Sequence, residues 1–333
     1  MRKVKIGVIG TGRIGKLHIE NLKNLVRGTE VIAAADVFVE KSRSWIEEYG
    51  IQFIYSDYRE LLANPEVEAV VIATSTDTHA EISIAAAKAG KQIFCEKPID
   101  WDIPRIHEVI KAVEEAGVLF QVGFNRRFDH NFRRLREVAL SGQIGDPHVI
   151  RVTSRDPAPP PVEYIATSGG LFNDMMIHDF DMVRYLSGSD VVEVTAHGAV
   201  LVDPKIGEAG DIDTAVVTLR MANGAIAVID NSRQAVYGYD QRAEIFGSKG
   251  QAVSQNDTPS TVQVSTADLV TTDKIPYFFL TRYTGAFVDQ FTSFIEAITE
   301  NKPLLVNAID GLRAVEVAQA AALSLKEGRT VKL

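Results

Sequence analysis

Lys97 lies in CEKP, residues 95–98, at the end of a short apolar run, and the ring of the following Pro98 restricts the backbone there. Farther along, GGLFNDMMIHDFDMVRYL, residues 169–186, carries Asp174, His178 and Asp181 at the spacing D-x3-H-x2-D. Oxidising a secondary alcohol needs a hydride acceptor, a base for the hydroxyl proton and positive charge near the developing alkoxide. An imidazole flanked by carboxylates titrates near neutral pH and suits the base, while Lys97 suits the positive charge and can share the proton. At about 100° per residue Asp174, His178 and Asp181 fall within about 60° of one another, with Met176, Phe180 and Val183 on the far side. Taken alone, such a stripe serves equally as a catalytic face, an ion-paired surface or a set of metal ligands. A lone lysine, likewise, is most often a solvated charge.

The hydride acceptor has its own signal. Gly10, Gly12 and Gly15 form GTGRIG directly after the run VKIGVIG and at the head of a helical pattern. In such a loop the first glycine makes the tight turn, the second lets the backbone approach a pyrophosphate, and the third allows close helix packing. Asp36 ends the next strand-like run, VIAAAD, near the spacing of a carboxylate that holds a ribose diol. Val37 follows it where an arginine would neutralise a 2′-phosphate, so NAD is expected rather than NADP. ATSTDTHAE, residues 73–81, follows another strand end; Thr78 and Glu81 read as a capping box, and the same segment faces the cofactor edge of a sheet. His79 within it is the residue least suited to catalysis. Cys95 reads as a small buried side chain, because no activating partner adjoins it.

Those side chains need a framework. Over residues 1–123 apolar runs at 4–10, 31–36, 67–74, 91–96 and 118–124 alternate with helical stretches that end in Gly. That alternation predicts a parallel sheet covered on both faces, a Rossmann dinucleotide-binding domain. After it come a basic amphipathic helix at 127–141, a strand at 148–156, the stiff DPAPPP loop and the helix of 169–186. Alternating runs VVEVTAHGAVLV, TAVVTLRM, GAIAVIDNSRQ, RAEIFGSKG and TVQVST, joined by turns such as MANGA, then predict a mainly antiparallel sheet. Helices at 285–300 and 308–327 close the chain. The expected fold is α/β: residues 1–123 form the Rossmann domain, and 124–333 an α+β substrate-binding and oligomerisation domain with a large open sheet.

The net charge of −9 over 333 residues argues against a nucleic-acid or membrane-surface protein. The basic run NRRFDHNFRRLRE reads as a solvated face or subunit contact, with only Arg127 offered to substrate. The N-terminus starts basic and then apolar, as a signal peptide does, but its apolar run is short and cut by glycines. The single cysteine excludes an internal disulfide framework and fits a reducing cytoplasm.

With EKP at 96–98 and D-x3-H at 174–178 both downstream of G-x-G-x-x-G, the chain resembles the Gfo/Idh/MocA oxidoreductases over nearly its whole length. Through CEKPID, NRRFD, RDPAPPP, GGLFNDMMIHDFDMVRYL and YGYDQR it looks most like their inositol 2-dehydrogenase branch. The resemblance implies that Lys97, Asp174 and His178 are catalytic, that Asp156, Asp181 and Tyr237 meet substrate hydroxyls, and that Arg127 borders them. It implies cofactor contacts from Gly10, Gly12, Arg13, Ile14, Gly15, Asp36, Val37, Thr74, Ser75, Thr76, His79, Glu96 and Lys97, a homotetramer, and no metal. Whether Asp174 orients His178 or binds a hydroxyl stays open, as does the choice among myo-inositol, scyllo-inositol and a pyranose such as glucose. A nucleotide-binding regulatory protein without turnover is the competing class, and it would be expected to lack the lysine or the D-x3-H pair.

Overall fold

The computed structural model describes residues 2–165 and 167–333. The chain begins β1 Val4–Ile9, α1 Arg13–Asn24, β2 Thr29–Ala35, α2 Arg43–Glu48, β3 Phe53–Tyr55, α3 Tyr58–Ala63, β4 Ala69–Ile72, α4 Thr76–Lys88, β5 Gln92–Cys95, α5 Ile103–Ala116 and β6 Phe120–Val122. It continues α6 His130–Leu140, β7 Pro147–Arg155, α7 Val162–Ile165, α8 Gly170–Asp174, α9 Ile177–Ser187, β8 Val191–Ala199, α10 Pro204–Glu208, β9 Thr214–Met221, β10 Ile226–Ser232, β11 Asp240–Gly247 and β12 Gly250–Ser254. The last elements are β13 Gln263–Ser265, β14 Val270–Thr272, α11 Phe279–Arg282, α12 Thr284–Glu300, α13 Ala308–Glu327 and β15 Val331–Lys332.

These elements assort into two compact units, Met1–Phe128 with Gly285–Val315, and Asp129–Thr284 with Glu316–Leu333. A single break after residue 123 would leave 285–315 in the second unit. The chain instead returns to the first because α12 sets Phe291, Phe294 and Ile295 into the same apolar cluster as Val4, Ile6, Val8 and Phe94. Each fully buried Phe there contributes about 1.5–3 kcal/mol.

The first unit holds a six-stranded sheet in the order β3-β2-β1-β4-β5-β6, every neighbouring pair parallel. β1 is VKIGVI with all but one residue buried, as a strand covered on both faces requires. The strand order turns about between β1 and β4, and ligands in such sheets bind at the carboxyl ends beside that reversal. β3 escapes the sequence reading because it is only three residues long and none of them is fully buried.

In the second unit the sheet order is β12-β11-β7-β10-β9-β8-β15, with β7 and β10 parallel and the other neighbours antiparallel. Burial alternates along β9, with Ala215, Val217, Leu219 and Met221 inward and Val216, Thr218 and Arg220 exposed. The MANGA turn closes β9 onto β10 with Gly224 at φ +90°. TVQVST does not join this sheet: β13 pairs with β14 as a separate two-stranded ribbon. The helix expected at 127–141 starts at His130, where the Asp129 carboxylate caps it by accepting from the N–H groups of Asn131 and Phe132.

The segment 169–186 is not one helix. The N–H groups of Met175 and Met176 both reach the carbonyl of Leu171, at 3.1 and 2.9 Å, so the ladder slips by one residue. α8 ends at Asp174 and α9 restarts at Ile177. The unbroken 100° phase that placed Asp174, His178 and Asp181 on one stripe therefore does not hold across Met175 and Met176. Among the described residues no helix is long and apolar enough to cross a membrane.

Candidate active site

Five predicted positions fall at carboxyl ends of neighbouring strands of the first sheet: Asp36 after β2, Gly10 after β1, Thr74 after β4, and Glu96 and Lys97 after β5. Gly10 has φ +93°, and a Cβ there would lie 2.5 Å from the carbonyl oxygen of Ala73. At Gly15 a Cβ would meet the Gly10 carbonyl, which fixes how closely α1 follows the turn. Gly12, the N-cap of α1, has no side-chain cap, and the place of its missing Cβ is open. An uncapped helix N-terminus with free space over its middle glycine fits a pyrophosphate.

Asp36 completes that fit. Its carboxylate accepts from the N–H groups of Thr11 and Phe38 at 2.7 and 2.8 Å and from the Thr11 hydroxyl at 3.1 Å. The carboxylate expected to hold a ribose is thus tied to the glycine loop, and it has lone pairs left for a diol. Val37 is 78% exposed beside it. Arg13 and Ser75 are exposed, and Ile14, Thr74 and Thr76 are half-buried.

The capping box expected at Thr78 is not formed. Ser75 is the N-cap of α4, so Thr78 lies inside the first turn, where its hydroxyl sits 2.7 Å from Thr74 Oγ1 and 2.8 Å from the Ser75 carbonyl. Glu81 instead accepts from Tyr58 and Arg59. His79 is buried with Nδ1 2.8 Å from the Pro98 carbonyl and Nε2 3.1 Å from that of Thr74. Burial pulls its pKa down. Buried Cys95 has its thiol pushed up by burial, which leaves it a small apolar residue.

In the second unit Asp174 lies between two donors. The Tyr164 hydroxyl donates to Oδ1 at 2.9 Å, and Arg233 Nη1 reaches Oδ2 at 3.3 Å. Arg233 is 1% exposed and also pairs with Asp211 Oδ2 at 3.7 Å. Asp211 in turn accepts the Leu171 N–H at 3.0 Å, anchoring the start of α8. A buried guanidinium between two carboxylates ties the three together, since any of them left alone would carry a large desolvation cost.

His178 and Asp181 belong to α9, half-buried and buried respectively. What fixes that helix is Asp179, fully buried, which lies 2.5 Å from Ser154 Oγ of β7 and accepts from Asn231 Nδ2 of β10 at 2.9 Å. Gln241 of β11 extends the network, its Oε1 3.1 Å from Ser154 Oγ and 3.2 Å from the Tyr283 hydroxyl. A buried carboxylate hydrogen-bonded to two strands in this way specifies one placement of the helix on the sheet.

The remaining candidates are dispersed over both units. The Tyr237 hydroxyl donates to Asp240 Oδ2 at 2.7 Å and accepts from Arg155 Nη1 at 3.2 Å. Burial and Asp240 push its pKa up. Asp156 follows β7 and is half-buried. Arg127 and Arg126 are buried rather than part of a solvated face. Arg127 donates to the Leu305 carbonyl and to Asp310 Oδ1, both at 2.9 Å, in the first unit.

Arg233, Tyr164, Asp211 and Asp179 were not singled out from the sequence. The signal available was weak: a basic residue just past the alternating run of β10, and a third carboxylate in IHDFD. The described residues do contain a cluster at metal-ligand spacing, Asp129, His130 and Asp257, outside the predicted stripe. Arg282 Nη1 lies 2.5 and 3.1 Å from its two carboxylates and pairs with both.

Comparison with known proteins bears directly on this arrangement. Residues 4–124 match the oxidoreductase family with an NAD-binding Rossmann fold, and 132–253 match the GFO/IDH/MocA C-terminal domain. The chain is 49% identical over 332 residues to the uncharacterized oxidoreductase YrbE of Bacillus subtilis, covering 100% of this chain and 97% of that protein. It is 48% identical to the myo-inositol 2-dehydrogenase of Thermotoga maritima, covering 99% and 98%. Among solved structures, scyllo-inositol dehydrogenase from Lactobacillus casei with bound NAD(H) and scyllo-inositol superposes with a TM-score of 0.93 at 30% identity, covering 99% of each chain. Residues 4–124 thus form an NAD-binding Rossmann unit, followed by a mixed, mostly antiparallel sheet as in its relatives. The chain belongs to the Gfo/Idh/MocA oxidoreductase family.

Proposed function

We propose that this protein oxidises a secondary hydroxyl of myo- or scyllo-inositol to the keto-inositol with NAD. The observation that carries the reading is the Tyr164–Asp174–Arg233 arrangement beside His178 in the sequence, in a chain whose dinucleotide unit ends its fifth strand in Glu96-Lys97-Pro98. NAD, when bound, supplies the hydride acceptor. Lys97 stabilises the oxygen as it gains negative charge, and His178 takes the hydroxyl proton. Asp174, paired with Arg233, accepts a hydrogen bond from a neighbouring hydroxyl or from His178. Asp156, Asp181, Tyr237 and Arg127 are proposed to border the substrate, and hydroxyl-binding groups of this kind reject analogues that lack a hydroxyl.

The ring-hydroxyl preference fits the dominance of carboxylates and hydroxyls among the candidate side chains. We extend the proposal to a cytoplasmic homotetramer, supported by the outer face of the second sheet. There Val216, Ile226, Phe246 and Val253 are between 42% and 52% exposed on neighbouring strands. Light scattering coupled to gel filtration tests the assembly. For the reaction, a panel of inositol isomers and pyranoses is assayed for NADH formation, with NADP in parallel. The expected result is turnover with myo- or scyllo-inositol and preference for NAD; turnover confined to an aldose would move the assignment to a sugar dehydrogenase.

A further inference from the structure

Two buried histidines of the first unit take no part in the chemistry proposed above, and each contacts a chain neighbour of Lys97. His18, on α1, is fully buried, with Nε2 2.7 Å from Glu96 Oε1. Its ring meets Phe94 and Phe291 edge-on, at centroid distances of 5.8 and 4.9 Å. His79, in the first turn of α4, has Nδ1 2.8 Å from the Pro98 carbonyl and Nε2 3.1 Å from that of Thr74, and the Nδ1–H tautomer donates to Pro98. Glu96 is confined on another side as well, since a Cβ at Gly123 would lie 2.8 Å from its Oε2.

Glu96 has 17% of its side chain exposed, so burial opposes its charge. The hydrogen bond with His18, aided by the Lys97 charge, more than offsets that burial and holds its carboxyl below the usual range. A largely buried carboxylate must keep its donor, and this donor is a ring walled by aromatics that has no room to follow it elsewhere. On the other side of Lys97 the Pro98 carbonyl is tied to the end of β4. The helices that supply the two rings both begin at predicted NAD-contacting loops, Gly10–Gly15 for α1 and Thr74–Thr76 for α4.

We propose that His18 and His79 are positioning residues for the dehydrogenation: by fixing Glu96 and Pro98 they fix Lys97 between them, in register with the loops that hold NAD. The inference rests on the role proposed for Lys97.

The test compares His18→Leu, which cannot donate to Glu96, with His18→Gln, whose amide can, and with His79→Gln. NADH affinity is read by fluorescence titration, kcat by NADH formation, and the placement of Lys97 by a crystal structure of each variant with NADH. Expected in the two His18 variants are NADH dissociation constants within about threefold of wild type and a kcat lowered about 100-fold in His18→Leu and about tenfold in His18→Gln, as a displaced reacting group dictates. Lys97 should be visibly displaced in the Leu variant, and adding His18→Leu to Lys97→Met should cost nothing further. A kcat within twofold of wild type in His18→Leu, an equal loss of NADH binding and kcat, or an undisplaced Lys97 would each overturn the proposal. If His18→Leu does not fold, the two Gln variants decide it by the same criteria. A wild-type protein inactive on every inositol and pyranose would remove the proposed function instead, while the displacement of Lys97 still judges this inference.

Discussion

In the first unit the chain neighbours of Lys97 are gripped, Glu96 by His18 and the Pro98 carbonyl by His79. Asp174 in the second unit is held at its own side chain, by Arg233, which also pairs with Asp211, and by the Tyr164 hydroxyl. Holding a group by its backbone leaves the ammonium able to change protonation without dismantling its support. Holding a group by its charge means that support and ionisation stand or fall together, so the same kind of substitution should act differently in the two units.

The largest effect expected is on turnover at the backbone-held group. Lys97→Ala should lower kcat by about 1000-fold, the scale of a lost acid–base or charge-stabilising group, with NADH binding unchanged by fluorescence titration. Loss of NADH binding in that variant would show that Lys97 supports the unit instead of the reaction.

On the charge-held side, Arg233→Met should cost both function and fold. It leaves Asp174 and Asp211 without their shared cation, so kcat/KM should fall about 100-fold and stability to urea by about 3–5 kcal/mol. Arg233→Lys should recover part of each, because the charge returns without the planar fork. A variant with full kcat/KM would break the contrast between the units.

A smaller effect isolates the cofactor loop. Gly12→Ala fills the one open Cβ position over the α1 N-terminus, and it should weaken NADH binding about tenfold with an unchanged melting temperature. Gly10→Ala should lower the melting temperature as well, since its Cβ would strike the Ala73 carbonyl from a left-handed backbone.

The mildest effect concerns acid. Burial pushes the Asp240 carboxyl up, but hydrogen bonds from Arg242, Tyr237 and Asn256 outweigh it and leave its pKa lowered. A carboxyl whose folded pKa lies below its unfolded value binds fewer protons when folded. It therefore contributes stability above the unfolded value near 4 and loses it as pH falls through the folded one. Urea midpoints measured from about pH 6 down to about pH 3 should fall, and Asp240→Asn should flatten that fall. A slope unaltered in Asp240→Asn would remove this contribution.

The dinucleotide unit was largely legible because its devices are local. A glycine triplet, a carboxylate at the next strand end and EKP each occupy a few consecutive residues, and the parallel strands are continuous apolar runs. The second unit was legible in its alternating strands and in the D-x3-H motif, but not in what holds that motif. Arg233 and Asp211 lie 59 and 37 positions from Asp174, and no local pattern joins them. The helix phase failed between Asp174 and Ile177 for a related reason: αR-like residues continue through Met175 and Met176, so the sequence shows no breaker where the hydrogen-bond ladder slips. Likewise 285–300 reads as an ordinary helix near the end of the chain, and only its cluster with Phe94 assigns it to the first unit.

The central claim is hydride transfer from an inositol to NAD. It is tested most directly by incubating the purified protein with NAD and myo- or scyllo-inositol deuterated on its ring carbons, then weighing the NADH formed. The account predicts NADH carrying one deuterium at the nicotinamide ring. NADH without deuterium, or no NADH from either isomer, would contradict it.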